Sequence, residues 1–191
     1  MGKKIERRAL PIIIAVVLAI AGIVFADVVY VYTGTFNVVT TKSPLTFAAG
    51  PNAYPNTSAA APYLNVTTSD QGFTVTMAAT NASGAYYYQA VKMTVNTAGY
   101  LYINSISTSG SILLNSMTVY IQNTSGATVC SFTVIQNPAA TTPSSTCSLS
   151  AGTYYISILA YYNTPVTRGS TETVTVNFGY NVVSNTATPT P

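Results

Sequence analysis

Two hydrophobic patterns divide the chain. Residues 10–25 form an apolar run that only Pro11 and small residues interrupt, with Lys3, Lys4, Arg7 and Arg8 before it. Beyond it, apolar residues recur at every second position. Positions 28, 30, 32, 34, 36 and 38 read Val, Tyr, Tyr, Gly, Phe, Val, and the positions between them are less apolar. A period of two, carried by Val, Tyr, Thr and Phe, marks a half-buried strand. The same alternation returns along the chain. Phe73, Val75, Met77 and Ala79 share one face, as do Val91, Met93 and Val95, then Leu101 and Ile103, then Met117, Val119 and Ile121. Phe132 and Val134 follow, then Tyr154, Ile156, Ile158 and Ala160. Val174, Val176, Phe178, Tyr180 and Val182 close the series.

Turn signals separate these runs: Gly50-Pro51, Asn81–Gly84, Ser107–Gly110, Asn123–Gly126 and Ser150–Gly152. Short strands at regular spacing, with no helical period after residue 40, predict an all-β fold. The expected form is a single antiparallel β-sandwich, jelly-roll or Ig-like. An N-terminal signal or hydrophobic helix (1–26) and an extended strand (27–40) precede the sandwich (41–184), and a tail (185–191) follows. Residues 52–62 read as a loop.

Basic residues, an apolar run and the small-residue step Val24-Phe25-Ala26 before Asp27 have the layout of a secretory signal. Cleavage is expected between Ala26 and Asp27. A second route competes. Arg7-Arg8-Ala9 before Leu10-Pro11-Ile12 resembles the class III signal of archaeal type IV pilins, cut after Ala9, which would keep the apolar segment through residue 32 as a filament-core helix. Asp27 interrupts that segment, and the strand pattern after it favours the first route.

Charge sharpens the picture. The chain is 6% charged, against roughly a quarter in ordinary globular proteins. After the leader only Asp27, Lys42, Asp70, Lys92, Arg168 and Glu172 remain, so the net charge of +3 belongs to the leader. A neutral surface favours association. So few carboxylates leave little to protonate in acid, which predicts weak pH dependence there. No basic patch points to nucleic acid, and membrane contact is expected only through an uncleaved leader.

Cys130 and Cys147, an even pair in an exported chain, predict one disulfide stapling the base of the Pro/Thr-rich loop between them. Asn56, Asn65, Asn81 and Asn123 each begin an N-glycosylation sequon and are expected to be used in large part, since hydroxyls, amides and sugars must hydrate this surface.

The chain has no histidine, which removes imidazole bases and ligands. Three carboxylates after the leader are too few for an acid pair or a hard-metal cage. No catalytic residue, metal site or cofactor is expected. The tyrosine runs 86–88, 154–155 and 161–162 suggest a sugar platform, but alternate residues of a strand face opposite sides, so core and contact roles compete. For Lys42 and Lys92 an amide crosslink to Asn or Asp is weighed against, and outweighed by, a solvated lysine.

Residues 26–38 as a donor strand, the Phe47-Ala48-Ala49-Gly50-Pro51 turn and the closing strand 173–180 together resemble the subunits of archaeal surface threads and bundling pili. The Phe-x-Ala-Gly step is also similar to one in the bacterial biofilm-fibre and camelysin group, whose claimed metalloprotease activity does not carry over without histidine ligands. The first resemblance implies a secreted, homopolymeric filament at the cell surface, serving adhesion or biofilm formation. In it Val28, Tyr30, Tyr32, Phe36 and Val38 of one subunit would complete the sheet of the next. A type IV pilin and a monomeric glycan-binding module are the alternatives.

Overall fold

The structure, a computed structural model, describes residues 33–35, 37, 42–61, 63–69 and 71–186. The chain divides into two compact units, Met1–Thr40 and Thr41–Pro191. In the first, Thr33, Gly34, Thr35 and Asn37 are exposed and lie in no strand of this chain. The expected donor residues Val28, Tyr30, Tyr32, Phe36 and Val38, and the cleavage pair Ala26 and Asp27, lie outside the described residues.

The second unit is all-β. Its strands are β1 (Leu45–Ala49), β2 (Leu64–Ser69), β3 (Gly72–Met77), β4 (Gly84–Val95), β5 (Gly99–Gly110), β6 (Leu114–Gln122), β7 (Thr128–Gln136), β8 (Ala139–Ala140), β9 (Thr146–Leu149), β10 (Gly152–Tyr162) and β11 (Glu172–Asn181), with one 3-10 turn at Ser58–Ala60. They form a curled six-stranded sheet in the order β1-β4-β10-β6-β7-β8, a three-stranded sheet β11-β5-β9 and a β2-β3 hairpin. All the strand ladders are antiparallel. The architecture is that of a generic β-sandwich or barrel.

The period-two faces pack as expected in the central strands. Val91, Met93 and Val95 of β4, Leu101 and Ile103 of β5, Met117, Val119 and Ile121 of β6, Phe132 and Val134 of β7, and Ile156, Ile158 and Ala160 of β10 are all buried in one core. Each large side chain removed from water contributes on the order of 1.5–3 kcal/mol.

Two expectations need correction. Ser107–Gly110 is not a turn but the end of β5, paired from Ser107↔Thr175 to Gly110↔Glu172. Its polar side chains are exposed, so only the ladder holds it as a strand, and hydropathy carries no trace of a ladder. The actual reversal follows it, where the Glu172 carboxylate accepts hydrogen bonds from the Leu113 and Leu114 amides at 2.6 and 2.7 Å. Val182 lies past the end of β11 and is exposed, because no strand continues alongside it.

Cys130 and Cys147 are bonded, with Cα atoms 5.9 Å apart. The bond does more than close the loop. Cys130 belongs to β7 of the six-stranded sheet and Cys147 to β9 of the three-stranded one, so it ties the two sheets together. With a sequence separation of 17 residues, it restricts the unfolded chain by about 3 kcal/mol in the chain-entropy view.

Tyrosines replace charge inside as well. The Tyr162 hydroxyl lies 2.6 Å from that of Tyr87, which in turn donates to the Ala78 carbonyl at 3.0 Å. Burial pushes both phenols above the ordinary tyrosine range. For Tyr162 the hydrogen bond to Tyr87 adds to the rise, and for Tyr87 the same bond partly offsets it. Burial also raises Tyr180, with the nearby Tyr154 adding to it.

Two outcomes follow from this packing. Replacing both cysteines (Cys130→Ser with Cys147→Ser) is expected to cost about 2–4 kcal/mol, read as a lower thermal midpoint that reductant no longer changes. A phenol raised by folding contributes stability that is intact below the unfolded value of 10.0. It is lost as pH climbs through the folded value, because the unfolded chain releases its protons first. Thermal melts by circular dichroism should therefore weaken above the tyrosine range, and Tyr162→Phe should flatten part of that fall.

Candidate assembly surface

The apolar faces of two strands are left half-covered. In β3 the alternation Phe73, Val75, Met77 turns inward and Thr74 and Thr76 turn out; in β11, Val174, Val176, Phe178 and Tyr180 turn inward. These residues pack against the core yet are only half-buried, whereas their counterparts in β4 and β6 are 0–5% exposed. The reason is topological. Among the described residues β3 pairs only with β2, and β11 only with β5, so each is a sheet edge.

The two edges meet at their aromatic residues. Phe73 lies 5.0 Å from Phe47 of β1 and 6.1 Å from Phe178 of β11, measured between ring centroids. β3 and β11 belong to different sheets and share no ladder. The result is a row of half-exposed apolar side chains flanked by two strands, each without a ladder partner on its outer side among the described residues. A free edge presents amides and carbonyls that another strand can satisfy.

A cavity of about 320 Å3 lies against the β2–β3 hairpin and is lined, among the described residues, by Thr67, Thr68, Gln71 and their neighbours. Among the described residues no three His, Cys, Asp or Glu side chains group to hold a metal ion, and no helix is long and apolar enough to cross a membrane.

The tyrosine runs split as strand geometry requires. Tyr87 and Tyr162 are buried, while Tyr86, Tyr88 and Tyr161 are exposed. Tyr154 and Tyr155 are half-buried, and Lys92 is exposed on β4. Hydropathy gave no sign of three polar residues beside the outward tyrosines. Ser157 and Gln122 are nearly inaccessible, and Gln89 has a left-handed backbone, φ 50°.

The four sequons are not equivalent. The Asn56 side-chain amide donates to the Ala49 carbonyl at 2.8 Å and the Gly50 carbonyl at 3.1 Å, so both its protons hold the turn after β1. Asn65 is half-buried within β2. Asn81 and Asn123 engage the fold through the side-chain oxygen. Asn81 accepts from the Val166 amide at 2.9 Å, and Asn123 accepts from the Ser125 amide, the Ser125 hydroxyl and the Ala127 amide at 3.0, 2.7 and 3.0 Å. A glycan replaces one proton of the amide nitrogen and leaves the oxygen untouched. Glycopeptide mapping of the chain from a glycosylating host should find sugar at Asn81 and Asn123, and Asn56 bare. Sugar at Asn56 would mean that its clamp on Gly50 is dispensable.

Neither a protein-family model nor a curated protein sequence matches this chain.

Proposed function

We propose that this chain is a secreted subunit of an extracellular filament, assembled head-to-tail by donor-strand complementation at the cell surface. The domain is then a single antiparallel sandwich of jelly-roll or Ig-like kind. Its incomplete side, between β3 and β11, receives residues 27–40 of the next copy. The observation that carries the reading is the half-buried row of Phe73, Val75, Met77, Val174, Val176 and Phe178 lying between two free edges.

The donor's own alternation supports it. Val28, Tyr30, Tyr32, Phe36 and Val38 fall on one side of an extended strand, and a strand between β3 and β11 would meet a ladder partner at either edge. Each large side chain buried contributes on the order of 1.5–3 kcal/mol before the cost of ordering the segment. Because donor and acceptor lie on different parts of the subunit, the contact does not close on itself and propagates a fibre. A nearly uncharged surface removes repulsion between successive copies. Adhesion or biofilm formation is the role such a fibre would serve.

The test uses two variants that fail for opposite reasons. Tyr32→Asp charges the donor and leaves the acceptor intact; Val176→Lys charges the acceptor and leaves the donor intact. Each should be secreted, folded by circular dichroism and unable to polymerise alone. Mixed, the two should form dimers by gel filtration and no fibres by electron microscopy, since only one junction per pair is sound. Fibres of normal length from Tyr32→Asp overturn the proposal. Together with a mature N-terminus at Leu10, they favour the retained-helix pilin.

A further inference from the structure

The outer face of the six-stranded sheet carries a second constructed feature. Where β4 runs beside β10, the register passes from Val91↔Ile156 to Tyr87↔Ile158, so Tyr88, Gln89 and Ala90 together face Ser157 alone. Such a bulge re-aims the side chains around it. It is fixed from three sides. The Gly50 amide donates to the Ala90 carbonyl at 2.8 Å, the Asn52 side-chain amide donates to the Tyr88 carbonyl at 3.1 Å, and the Gln89 amide donates to the Ser157 hydroxyl at 2.8 Å. Gln89 sits at φ 50°, a backbone conformation that a non-glycine residue holds only when its surroundings impose it.

What the bulge positions is a pair of tyrosines. Ser157 donates to the Gln122 side-chain oxygen at 2.6 Å, and the Gln122 amide donates to the Tyr86 hydroxyl at 3.1 Å. The Gln89 side chain donates to the Tyr88 hydroxyl at 3.2 Å. Tyr86 and Tyr88 lie 5.9 Å apart, and Tyr120 meets Tyr86 edge-on at 6.3 Å. The two rings are 49% and 39% exposed, whereas Gln122 and Ser157 beneath them are 5% and 0% exposed. The buried Ser157–Gln122 chain thus holds the Tyr86 ring by its hydroxyl, and the half-buried Gln89 holds the Tyr88 ring by its own. Each hydroxyl accepts a bond and keeps its own proton to donate.

This chemistry selects a neutral saccharide. Exposed rings suit the C–H face of a sugar, and phenol and amide groups suit its hydroxyls. Among the described residues none of the hydrogen-bonded members of the group is charged; Lys92 stands in the same row as Gln122 on the far side of Tyr155. A cationic ligand would thus find no counter-charge, an anionic one only that outlying lysine, and a purely apolar one would leave these polar groups unpaired.

An N-glycosylation sequon begins beside it, at Asn123. Asn123 follows Gln122 directly, and its side-chain oxygen takes three hydrogen bonds that fix the amide plane. The turn it opens abuts the platform at Gly126, where an added Cβ would lie 2.7 Å from the Tyr88 hydroxyl. We propose that the Tyr86–Tyr88 face is the seat of the glycan carried by Asn123, with Gln122 and Ser157 as positioning residues for the Tyr86 ring and Gln89 for the Tyr88 ring. This does not depend on the filament reading.

The test is made on the full chain produced in a glycosylating host and in one without glycosylation. The difference in thermal midpoint between the two, compared with the same difference in Ser125→Ala, isolates the sugar on Asn123. It should be roughly 2–4 °C and should vanish in Tyr86→Ala with Tyr88→Ala. A second measurement needs no variant: C–H protons of the first sugar on Asn123 should show upfield ring-current shifts and cross-relaxation with the Tyr86 and Tyr88 rings. Asn123 bare in glycosylated material, a thermal gain that survives loss of both rings, or sugar protons at their free-glycan positions would each overturn the proposal. So would shifts of the Tyr86 and Tyr88 resonances that depend only on protein concentration with Asn123 unglycosylated, which would make the face a contact between copies.

Discussion

The arrangement of this domain hangs on one hydroxyl with no access to water. Ser157 lies between Ile156 and Ile158 of β10, and in an unbroken ladder it would have a single partner on β4. Instead it holds a three-residue bulge by the Gln89 amide. Bulges sharpen the local twist, and here the bulge sits in the middle of a six-stranded sheet that curls. Its other fastenings reach the end of β1, where Gly50 meets Ala90. A Cβ on Gly50 would lie 1.8 Å from the Gln89 carbonyl oxygen, so only glycine fits. The Ala49-Gly50-Pro51 step is therefore a fitting between β1 and the bulge. β1 in turn carries Phe47 to Phe73, and Phe73 to Phe178. A chain of contacts thus runs from the bulge, through β1 and its ladder with β4, to the half-covered seam.

A second constraint is the near-absence of charge. Most domains spend carboxylates and lysines on turns, edges and surface. Among the described residues this one has a single carboxylate, Glu172, and it closes the reversal between β5 and β6. Tyrosine, serine and asparagine do the rest. Tyr87 and Tyr162 satisfy each other inside, Tyr180 donates to the Thr97 carbonyl, and Asn96 and Asn163 donate to carbonyls of nearby loops and strands. No buried side-chain polar atom among the described residues is left without a partner. Polar groups that do not titrate in acid make a fold whose electrostatic weak point lies at the alkaline end, where phenols ionise.

Much of the fold was legible because a strand buried on one face writes itself into the sequence at a period of two. Val91, Met93, Val95, Met117, Val119 and Ile121 could be placed without a structure. The pattern failed where burial does not decide conformation. Ser107–Gly110 is exposed and polar, and only the pairing with Glu172–Thr175 makes it a strand. The disulfide was legible as a pair, but its joining of two sheets was not, since β9 is four residues long and too short to show a period. The tyrosine platform was legible as tyrosines alone. Its supports come from Gly50, Asn52, Gln122 and Ser157, which are far apart in sequence and brought together only by topology. The sequons were equally visible at all four asparagines, and only hydrogen bonding distinguishes Asn56, which uses its amide protons, from Asn123, which uses its oxygen.

The edges themselves carry the strongest physical argument about what this surface is for. Soluble β-proteins protect free edges with lysines, prolines, inward charges or very short strands, because an open ladder invites unwanted pairing. β8 fits that rule, being two residues long. β11 does not: it runs for ten residues, has alternating Val, Thr and Phe, and carries charge only at its first position, Glu172. β3 has neither charge nor proline. Two edges without a ladder partner among the described residues, flanking a half-covered apolar row, would be a standing hazard on a monomer with a neutral surface. They become an asset when one specific strand always occupies them. That strand must be apolar at alternate positions, long enough to run along β11, and supplied by every copy. Residues 27–40 meet each condition in sequence, so the features that would make this domain aggregate at random are the ones that would make it assemble in order.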